Sequence, residues 1–566
     1  MKNKIAQIVR LRLYFILFSC CAVNGFSQTN QTGTPKLVVG IVVDQMSFEQ
    51  LYKYQEKFSE GGFARLIGEG FNFKNTQYNY IPTVTAAGHS SIYTGTSPAT
   101  HGIIGNSWFQ RKENAIIGNV DDPIEQITGS ARENKTGLSP RNLLSTTISD
   151  QLKLATNFKS KVISVSLKDR GAILPGGHLA NGAYWHDWQS SPGYFVSSSY
   201  YMDKLPEWVN RFNSQEKSSA FLNTTWNTLL PIESYTESAA DNNTFERTLS
   251  GKVSPTFPYE FKKMREVYRT LNAEFQLIWV SPFGNTLLTE FAIEAIKNES
   301  LGLDNATDML SISYSVPDVI GHTFGPQSVE IQDIYLRLDK DIENLLNTLD
   351  KTVGIANYTL FLTSDHAAIP TASYLNEKRL PTGIAPITEY RDNLSNYLNK
   401  KYGTREWIQN FNYEQLYLNR ETIKKEKLNL AEIQQDVANF LSGLKWIRVA
   451  LTAHDLQFKI YDDGIHKRLQ NGYHPKRSGD ILLSFEPGII MNVDPNIAVS
   501  EIKGTTHGSG YAYDTHVPLL WFGKNIPKGA SVREVSVTDI APSLAMFLNV
   551  QLPSGCSGVP LVELFR

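Results

Sequence analysis

The chain has 566 residues, more than one hydrophobic core usually organises, so we expect a large domain with substantial insertions. Its composition, with 41% hydrophobic and 19% charged residues, is typical of a globular protein. The formal net charge of -2 argues against a surface that binds nucleic acid or another polyanion. An anionic ligand would therefore be attracted by local charges or metals.

Residues 1–27 are predicted to be a signal peptide for export. An apolar run at 13–22, too short to span a bilayer, follows four basic residues: Lys2, Lys4, Arg10 and Arg12. Small residues before Gln28 provide a cleavage point, so the mature protein is 28–566 and a periplasmic location is expected. Release from the cell, lipid attachment at Cys20, and an N-terminal core helix are the alternatives.

Cleavage before Gln28 leaves a single cysteine, Cys556, so no disulfide can form within the mature chain. We expect Cys556 to be a packing residue. The sequence has no second apolar run of membrane-spanning length. It does not fix the oligomeric state, for which a monomer is the default expectation.

Strands and helices alternate along the chain, which predicts an α/β fold with a mainly parallel central sheet flanked by helices. Ser47 is placed to cap the helix after the first strand. A long amphipathic helix is predicted at 327–349 from the spacing of its apolar residues. The predicted strands are the apolar runs 36–43, 161–167, 309–316, 358–363 and 517–522.

Two stretches interrupt this alternation. Residues from about 171 to 283 are rich in aromatic residues, Ser and Asn, and have weak periodicity. Residues from about 371 to 476 combine a charged helix near 414–444 with irregular segments. We predict that both are cap-like insertions over the carboxyl edge of the sheet, where open α/β sheets bind ligands.

Acidic and histidine residues follow several predicted strands, and one histidine precedes the last strand. Because the carboxyl ends of parallel strands meet at one edge, we expect these side chains to converge. Carboxylates crowded without cations would raise one another's pKa, and mixed Asp/His sets suit zinc. Taken singly, an Asp in such a place is often a helix cap or turn former. The six predicted ligands are Asp44, Asp318, His322, Asp365, His366 and His507.

Thr85 is the candidate nucleophile. It follows Pro82 and precedes small residues that can begin a helix, so its hydroxyl would lie where free N–H groups and the helix dipole favour an anion. Metal coordination lowers the pKa of a hydroxyl enough for attack. A simple N-cap is the alternative role of Thr85, and Thr83 is the competing nucleophile. The nearby His89 is expected either to support the ligands from behind or to be structural.

Three further side chains are candidates for binding phosphoryl oxygens. Asn106 lies in a glycine-flanked loop, where its amide can donate, although a left-handed turn explains it equally well. Lys168 and Arg170 follow the strand at 161–167, and alternate residues of an extended segment point the same way. The alternative for this pair is a solvated basic turn.

Together these residues resemble the alkaline-phosphatase superfamily, most closely its PafA-type bacterial alkaline phosphatases. The resemblance implies one zinc ion held by Asp318, His322 and His507. It implies a second held by Asp44, Asp365 and His366, with Thr85 bridging to the phosphoryl group, which Asn106, Lys168 and Arg170 grip. The matching motifs span most of the mature chain, at 43–44, 82–89, 105–108, 166–170, 318–322, 364–366 and 506–509.

The resemblance implies hydrolysis of small-molecule phosphate monoesters to an alcohol and phosphate, through a phosphothreonine at a two-zinc site. No nucleic acid is expected as an obligate partner. The chain departs from the enterobacterial-type enzymes in carrying Thr85 for serine and in lacking evident ligands for a third, magnesium site, whose charge Lys168 would partly supply. The sulfatase signature is missing at the nucleophile.

Three other functions stay open at this point. A phosphodiesterase or nucleotide pyrophosphatase uses the same scaffold, but Lys168 and Arg170 add positive charge where the second ester group of a diester would lie. A phosphomutase fits an exported protein poorly. A binding protein without activity would not need an intact set of metal ligands.

Overall fold

The computed structural model describes residues 33–130, 136–189, 192–492, 494 and 496–565. The predicted signal peptide and the alternative lipid attachment site at Cys20 lie outside these residues. In the described part of the chain, no helix combines the length and apolarity that crossing a membrane requires.

The strands used below, in chain order, are β1 (Leu37–Val43), β2 (Phe71–Gln77), β3 (Val162–Ser166), β4 (Gly182–Asp187), β5 (Tyr194–Ser198), β6 (Asp308–Tyr314), β7 (Tyr358–Thr363), β8 (Ile408–Asn412), β9 (Gln415–Leu418), β10 (Ile447–Thr452), β11 (Ile481–Phe485) and β12 (His516–Gly523). The helices are α1 (Phe48–Lys53), α2 (Phe63–Glu69), α3 (Thr85–Thr94), α4 (Ile148–Ala155), α5 (Asp169–Gly176), α6 (Phe283–Asn298), α7 (Val316–Phe324), α8 (Val329–Thr352), α9 (Ile387–Tyr402), α10 (Leu430–Ser442) and α11 (Ile540–Leu548).

The described residues form an 11-stranded central sheet with the order β2, β12, β7, β1, β6, β3, β4, β5 through its middle. Strands β7, β1, β6, β3 and β4 are parallel to their neighbours in this series, whereas β5 is antiparallel to β4. The predicted α/β fold with a mainly parallel centre is therefore confirmed.

The last predicted strand, 517–522, differs from expectation in its direction. It is present as β12 but runs antiparallel to both β7 and β2. The start of β12 therefore lies at the edge where the parallel strands end. A residue that precedes β12 in the chain, such as His507, reaches that edge only because of this reversal.

Both faces of the sheet are covered, which explains why β1 is apolar at nearly every position. Leu37, Val39, Ile41 and Val43 pack with residues of α6 and α8, whereas Val38 and Val42 pack with residues of α3 and α11. At Gly40 a Cβ atom would lie 2.5 Å from the Tyr93 hydroxyl and 2.7 Å from the Phe361 ring. Glycine is thus the residue that lets α3 approach the sheet here.

Local signals in the sequence give the starts of α1 and α8 correctly. Ser47 caps α1 in a capping box with Gln50, as predicted. The Ser328 side chain accepts a hydrogen bond from Ile331 N at the start of α8, the long amphipathic helix predicted at 327–349.

The two irregular stretches differ from each other. Part of 171–283 belongs to the central sheet, because β4 and β5 extend it beyond β3. Within 371–476, β8, β9 and β10 join β11 in a separate four-stranded sheet with its own apolar core. The charged helix expected near 414–444 is wrong: β9, a short helix at Arg420–Lys425 and α10 occupy it, separated by Lys427 at φ 56° and the Asn429 cap.

A buried carboxyl group between α6 and α8 allows a test of this packing. Asp341 is 7% exposed, and burial raises its pKa to about 8, although its carboxylate accepts a hydrogen bond from Thr286. The folded protein therefore keeps a proton that the unfolded chain releases above about pH 4. The contribution of Asp341 to the free energy of unfolding therefore falls as the pH rises from about 4 to about 8.

We expect Asp341→Asn to be more stable than the parent protein, with a difference in the free energy of unfolding that grows between about pH 4 and pH 8, up to about a few kcal/mol. Above about pH 8 this difference should stay constant. The measurement is the melting temperature of both proteins from pH 5 to 9. Asp392→Asn, at an exposed position of α9, is the matched control. A difference between Asp341→Asn and the parent protein that does not change with pH would contradict the interpretation.

Candidate metal centre and active site

The six predicted ligands meet in two clusters of three at the carboxyl edge of the central sheet. In each cluster one ligand atom from every residue lies within 4.8 Å of the others. Asp318, His322 and His507 form the first cluster, which we call cluster A. Asp44, Asp365 and His366 form the second, cluster B, which is fully buried.

The topology explains why distant residues converge. Asp44 directly follows β1, and Asp365 and His366 follow β7, its parallel neighbour. Asp318 and His322 lie one turn apart on α7, which follows β6 on the other side of β1. These segments therefore bring their side chains to one edge.

The histidines of both clusters are oriented by carbonyl groups. Nδ1 lies 2.8 Å from Thr505 O in His322, 2.8 Å from Thr83 O in His507 and 3.1 Å from Ala367 O in His366. Each Nδ1 must donate its hydrogen to the carbonyl, which leaves Nε2 as the ring nitrogen that could bind a metal when the imidazole is neutral. Ligand histidines in metalloproteins are held in this way.

Buried polar atoms without hydrogen-bond partners fit a cation in cluster B. Asp44 Oδ1, Asp365 Oδ2 and His366 Nε2 are all buried, and none of them makes a hydrogen bond, although His366 Nε2 lies 3.4 Å from Asp44 Oδ1. Leaving such groups unpaired costs several kcal/mol in total, roughly 1–3 for each. A divalent ion with Asp and His ligands would satisfy all three atoms, and zinc takes such donor sets.

Lys168 lies between the clusters. Its Nζ is 2.6 Å from Asp44 Oδ2 in cluster B and 2.5 Å from Asp318 Oδ2 in cluster A. Burial opposes the charge on the ammonium, but the two carboxylates outweigh burial and raise the pKa of Lys168. Lys168 thus supplies a fixed positive charge shared by both clusters.

The carboxylates respond differently to this crowding. Burial, followed by repulsion from Asp318 and Asp365, raises the pKa of Asp44 well above its ordinary value. Burial also opposes ionisation of Asp318, but His322 and Lys168 lower its pKa well below the usual range. For His507, burial and the neighbouring His366 lower the pKa strongly, which keeps the imidazole neutral and able to bind a metal.

Thr85 is the first residue of α3, as predicted, and its side chain is almost fully buried. The helix is held against cluster B at two points. His89 Nδ1 lies 2.9 Å from Thr85 O and 3.4 Å from Asp365 Oδ2. A Cβ atom on Gly88 would lie 2.2 Å from Asp365 O, so only glycine allows this approach.

The competing nucleophile Thr83 is already engaged, because its hydroxyl donates to Ser509 O at 2.8 Å. Asn106 Oδ1 accepts a hydrogen bond from Ala86 N at the start of α3. This contact fixes the Asn106 amide, leaving its NH2 group to donate elsewhere. Asn106 and Thr85 are therefore joined through the first turn of one helix.

The expected geometry of Lys168 and Arg170 is wrong, although the two remain neighbours. They do not alternate on an extended strand, because α5 begins at Asp169 with Lys168 as its N-cap and Arg170 in its first turn. The Arg170 side chain is about a quarter exposed, and its Nε has no hydrogen-bond partner. A basic residue at the N-terminus of a helix remains well suited to an anion.

One residue of the site, Gln45, is not among the residues predicted from the sequence. Gln45 donates from its backbone N–H to Asp365 Oδ1 and from its side chain to Asp318 Oδ1, at 3.2 and 2.6 Å. The signal available for Gln45 was a polar residue directly after Asp44. His89, expected to be a supporting or structural residue, contacts Asp365, a proposed ligand.

Two clefts open beside His322. The first, of about 400 Å³, reaches past Asn106 and His507 to the four-stranded sheet, and its wall includes Tyr417, Phe485, Tyr511 and Tyr513. We call it the aromatic cleft. The second, of about 510 Å³, is lined by Arg247, Lys503 and apolar residues such as Ile369 and Ile502. We call it the basic cleft.

Comparison with known proteins agrees with this geometry. Residues 38–510 match the model of the family described as type I phosphodiesterase / nucleotide pyrophosphatase. Alkaline phosphatase PafA of Elizabethkingia meningoseptica is 40% identical, covering 95% of this chain and 96% of PafA. Alkaline phosphatase PhoV of Synechococcus elongatus is 41% identical, with coverages of 96% and 94%. A protein of Myroides odoratus named calcium-transporting ATPase is 40% identical, with 94% of each chain covered.

The crystal structure of wild-type PafA superimposes with a TM-score of 0.87, covering 94% of this chain and 99% of PafA. A PafA variant with a threonine, an asparagine, a lysine and an arginine substituted superimposes equally well. From these matches along almost its whole length, the chain belongs to the type I phosphodiesterase / nucleotide pyrophosphatase family of the alkaline-phosphatase superfamily and is a phosphatase.

Proposed function

We propose that the protein is an exported phosphatase that hydrolyses phosphate monoesters through a phosphothreonine at Thr85, with two zinc ions in clusters A and B. The observation that carries this proposal is the pair of three-residue clusters separated by Lys168. Residues 1–27 would be the signal peptide that directs export.

In this proposal the side chains of the site divide between attack on phosphorus and binding of the phosphoryl oxygens. Bound zinc ions would supply Lewis-acid stabilisation of charge and would lower the pKa of a hydroxyl or water beside them. The Thr85 oxygen gives up its proton and bonds to phosphorus while the P–O bond to the alcohol breaks in line with it. Water then breaks the bond between phosphorus and Thr85, which releases inorganic phosphate and restores the hydroxyl. Asn106, Lys168 and Arg170 hold the non-bridging oxygens, whose charge is spread over them in the transition state.

The PafA variant supports these assignments. Its four substituted residues are of the same types as Thr85, Asn106, Lys168 and Arg170, and they are separated by the same numbers of residues along the chain. The family name leaves phosphodiesterase activity as the second candidate. The charges of Lys168 and Arg170 favour a monoester, because a monoester dianion presents three charged oxygens and a diester presents fewer.

Removal of the Thr85 hydroxyl should abolish turnover. We expect Thr85→Val, which keeps the shape of the side chain, to lower kcat/KM for an aryl phosphate by a factor on the order of 10³ or more. Thr85→Ser keeps a nucleophile and should retain most activity. Acid quenching and mass spectrometry should find phosphate on residue 85 in the parent protein and in Thr85→Ser; phosphate elsewhere, or none, would contradict the mechanism.

Arg170 should matter more for monoesters than for diesters. We expect Arg170→Ala to lower kcat/KM for an aryl phosphate about 100-fold, because a charge-assisted donor to the transition state is lost. The loss for the methyl diester of the same phenol should be smaller. A parent protein that hydrolyses the diester with the higher kcat/KM would instead favour the phosphodiesterase.

Metal content tests the clusters without relying on activity. The parent protein should contain two zinc ions per chain by mass spectrometry, and His322→Ala should lose the ion of cluster A. His454→Ala, at an exposed position on the insertion, is the control and should keep both ions. Equal metal content in the parent and His322→Ala would show that cluster A holds no ion.

A further inference from the structure

The basic cleft is built around the same segments that hold His322. Arg247 N donates to Thr323 O at 2.9 Å, directly after His322 in the chain. On the other side, His322 Nδ1 is bonded to Thr505 O, two residues after Lys503. Gly504 N donates to Phe245 O, which ties the two flanking segments together. Arg247 and Lys503 are therefore fixed by their backbones on either side of a proposed metal ligand.

Both cations are available for an anionic ligand. Arg247 and Lys503 are exposed, and among the described residues neither side chain has an ion-pair or hydrogen-bond partner. The acid on the same wall, Glu501, accepts a hydrogen bond from Ala498 N at 2.8 Å. The lining of the basic cleft thus carries the positive charges of Arg247 and Lys503 and the negative charge of Glu501, which is partly neutralised by its hydrogen bond to the backbone.

The aromatic cleft on the other side of His322 has the opposite character. Its charged lining includes Glu414 and Asp514, and burial raises the pKa of each to about 7. Near pH 8 and above, these carboxyl groups are largely ionised and would repel an anion. An anionic substituent on a substrate would consequently avoid the aromatic cleft and enter the basic one.

We propose that the basic cleft binds a second anionic group on the alcohol portion of the substrate. The enzyme then prefers monoesters whose leaving group carries another phosphate. This inference rests on the proposed monoesterase function and specifies its substrate class. The phosphoryl group being transferred stays with Lys168 and Arg170, whereas the distal phosphate is paired with Arg247 and Lys503.

The test compares two substrates that differ only in the distal charge: hexyl phosphate and hexane-1,6-diyl bisphosphate. We expect the bisphosphate to have the higher kcat/KM, by roughly fivefold for each exposed cation that it pairs with. The ratio of the two kcat/KM values should fall in Arg247→Ala and in Lys503→Ala, and should approach the statistical factor of two in the double variant. Raising the ionic strength should lower the ratio of the parent protein, because both cations are exposed.

Lys528→Ala is the matched control, since Lys528 is an exposed cation next to the strand at Gly529–Ser531, and its ratio should equal that of the parent. Calorimetric titration of Thr85→Val with the bisphosphate gives a second readout, in which added Arg247→Ala and Lys503→Ala substitutions should weaken binding. A parent ratio near two, or a high ratio unchanged in the double variant, would overturn this inference. Failure of the parent protein to hydrolyse hexyl phosphate or an aryl phosphate would instead overturn the proposed function.

Discussion

Crowding of three buried carboxylates at one edge of the sheet is the constraint on which the site depends. Asp44, Asp318 and Asp365 repel one another, and burial raises the cost of their charges. Without cations this arrangement would be strongly destabilising. The buried ammonium of Lys168 lies between Asp44 and Asp318, and imidazoles surround the carboxylates. This arrangement favours the binding of further positive charge at the site.

The fold keeps this crowded cluster in place through backbone contacts. Three histidine Nδ1 atoms are bonded to carbonyls, and Gln45 donates to carboxylates of both clusters. Gly88 allows α3 to pack closely against the backbone of Asp365. Because Thr85 is the first residue of α3, this contact fixes its position relative to cluster B. Each of these five predicted ligands is thereby oriented by a group outside the two clusters, as precise electrostatic stabilisation requires.

The sequence was informative where the signal was local. Continuous apolar runs predicted β1 and β7 to within a residue, and the candidate ligands Asp44, Asp365 and His366 are among the polar residues that follow them. The direction of β12 could not be read, because apolar strands look alike in either direction and pairing is a long-range choice. The helix start at Asp169 was missed because Lys168 and Arg170 were read as a continuation of β3. Gln45 was missed because one glutamine after a strand has no pattern of its own.

The least predictable parts of the chain are also those that shape the clefts. Clusters A and B, Thr85, Asn106 and Lys168 belong to the edge of the central sheet, whose periodicity is strong. The aromatic cleft is walled by the four-stranded sheet of β8–β11, and the basic cleft by Arg247 and the segment at 497–506, where periodicity is weak. In the proposals above, chemistry and recognition are thus assigned to different elements that meet at His322. Changes in the surrounding segments would then alter the lining of the clefts while leaving the carboxylates, Lys168 and the imidazoles undisturbed.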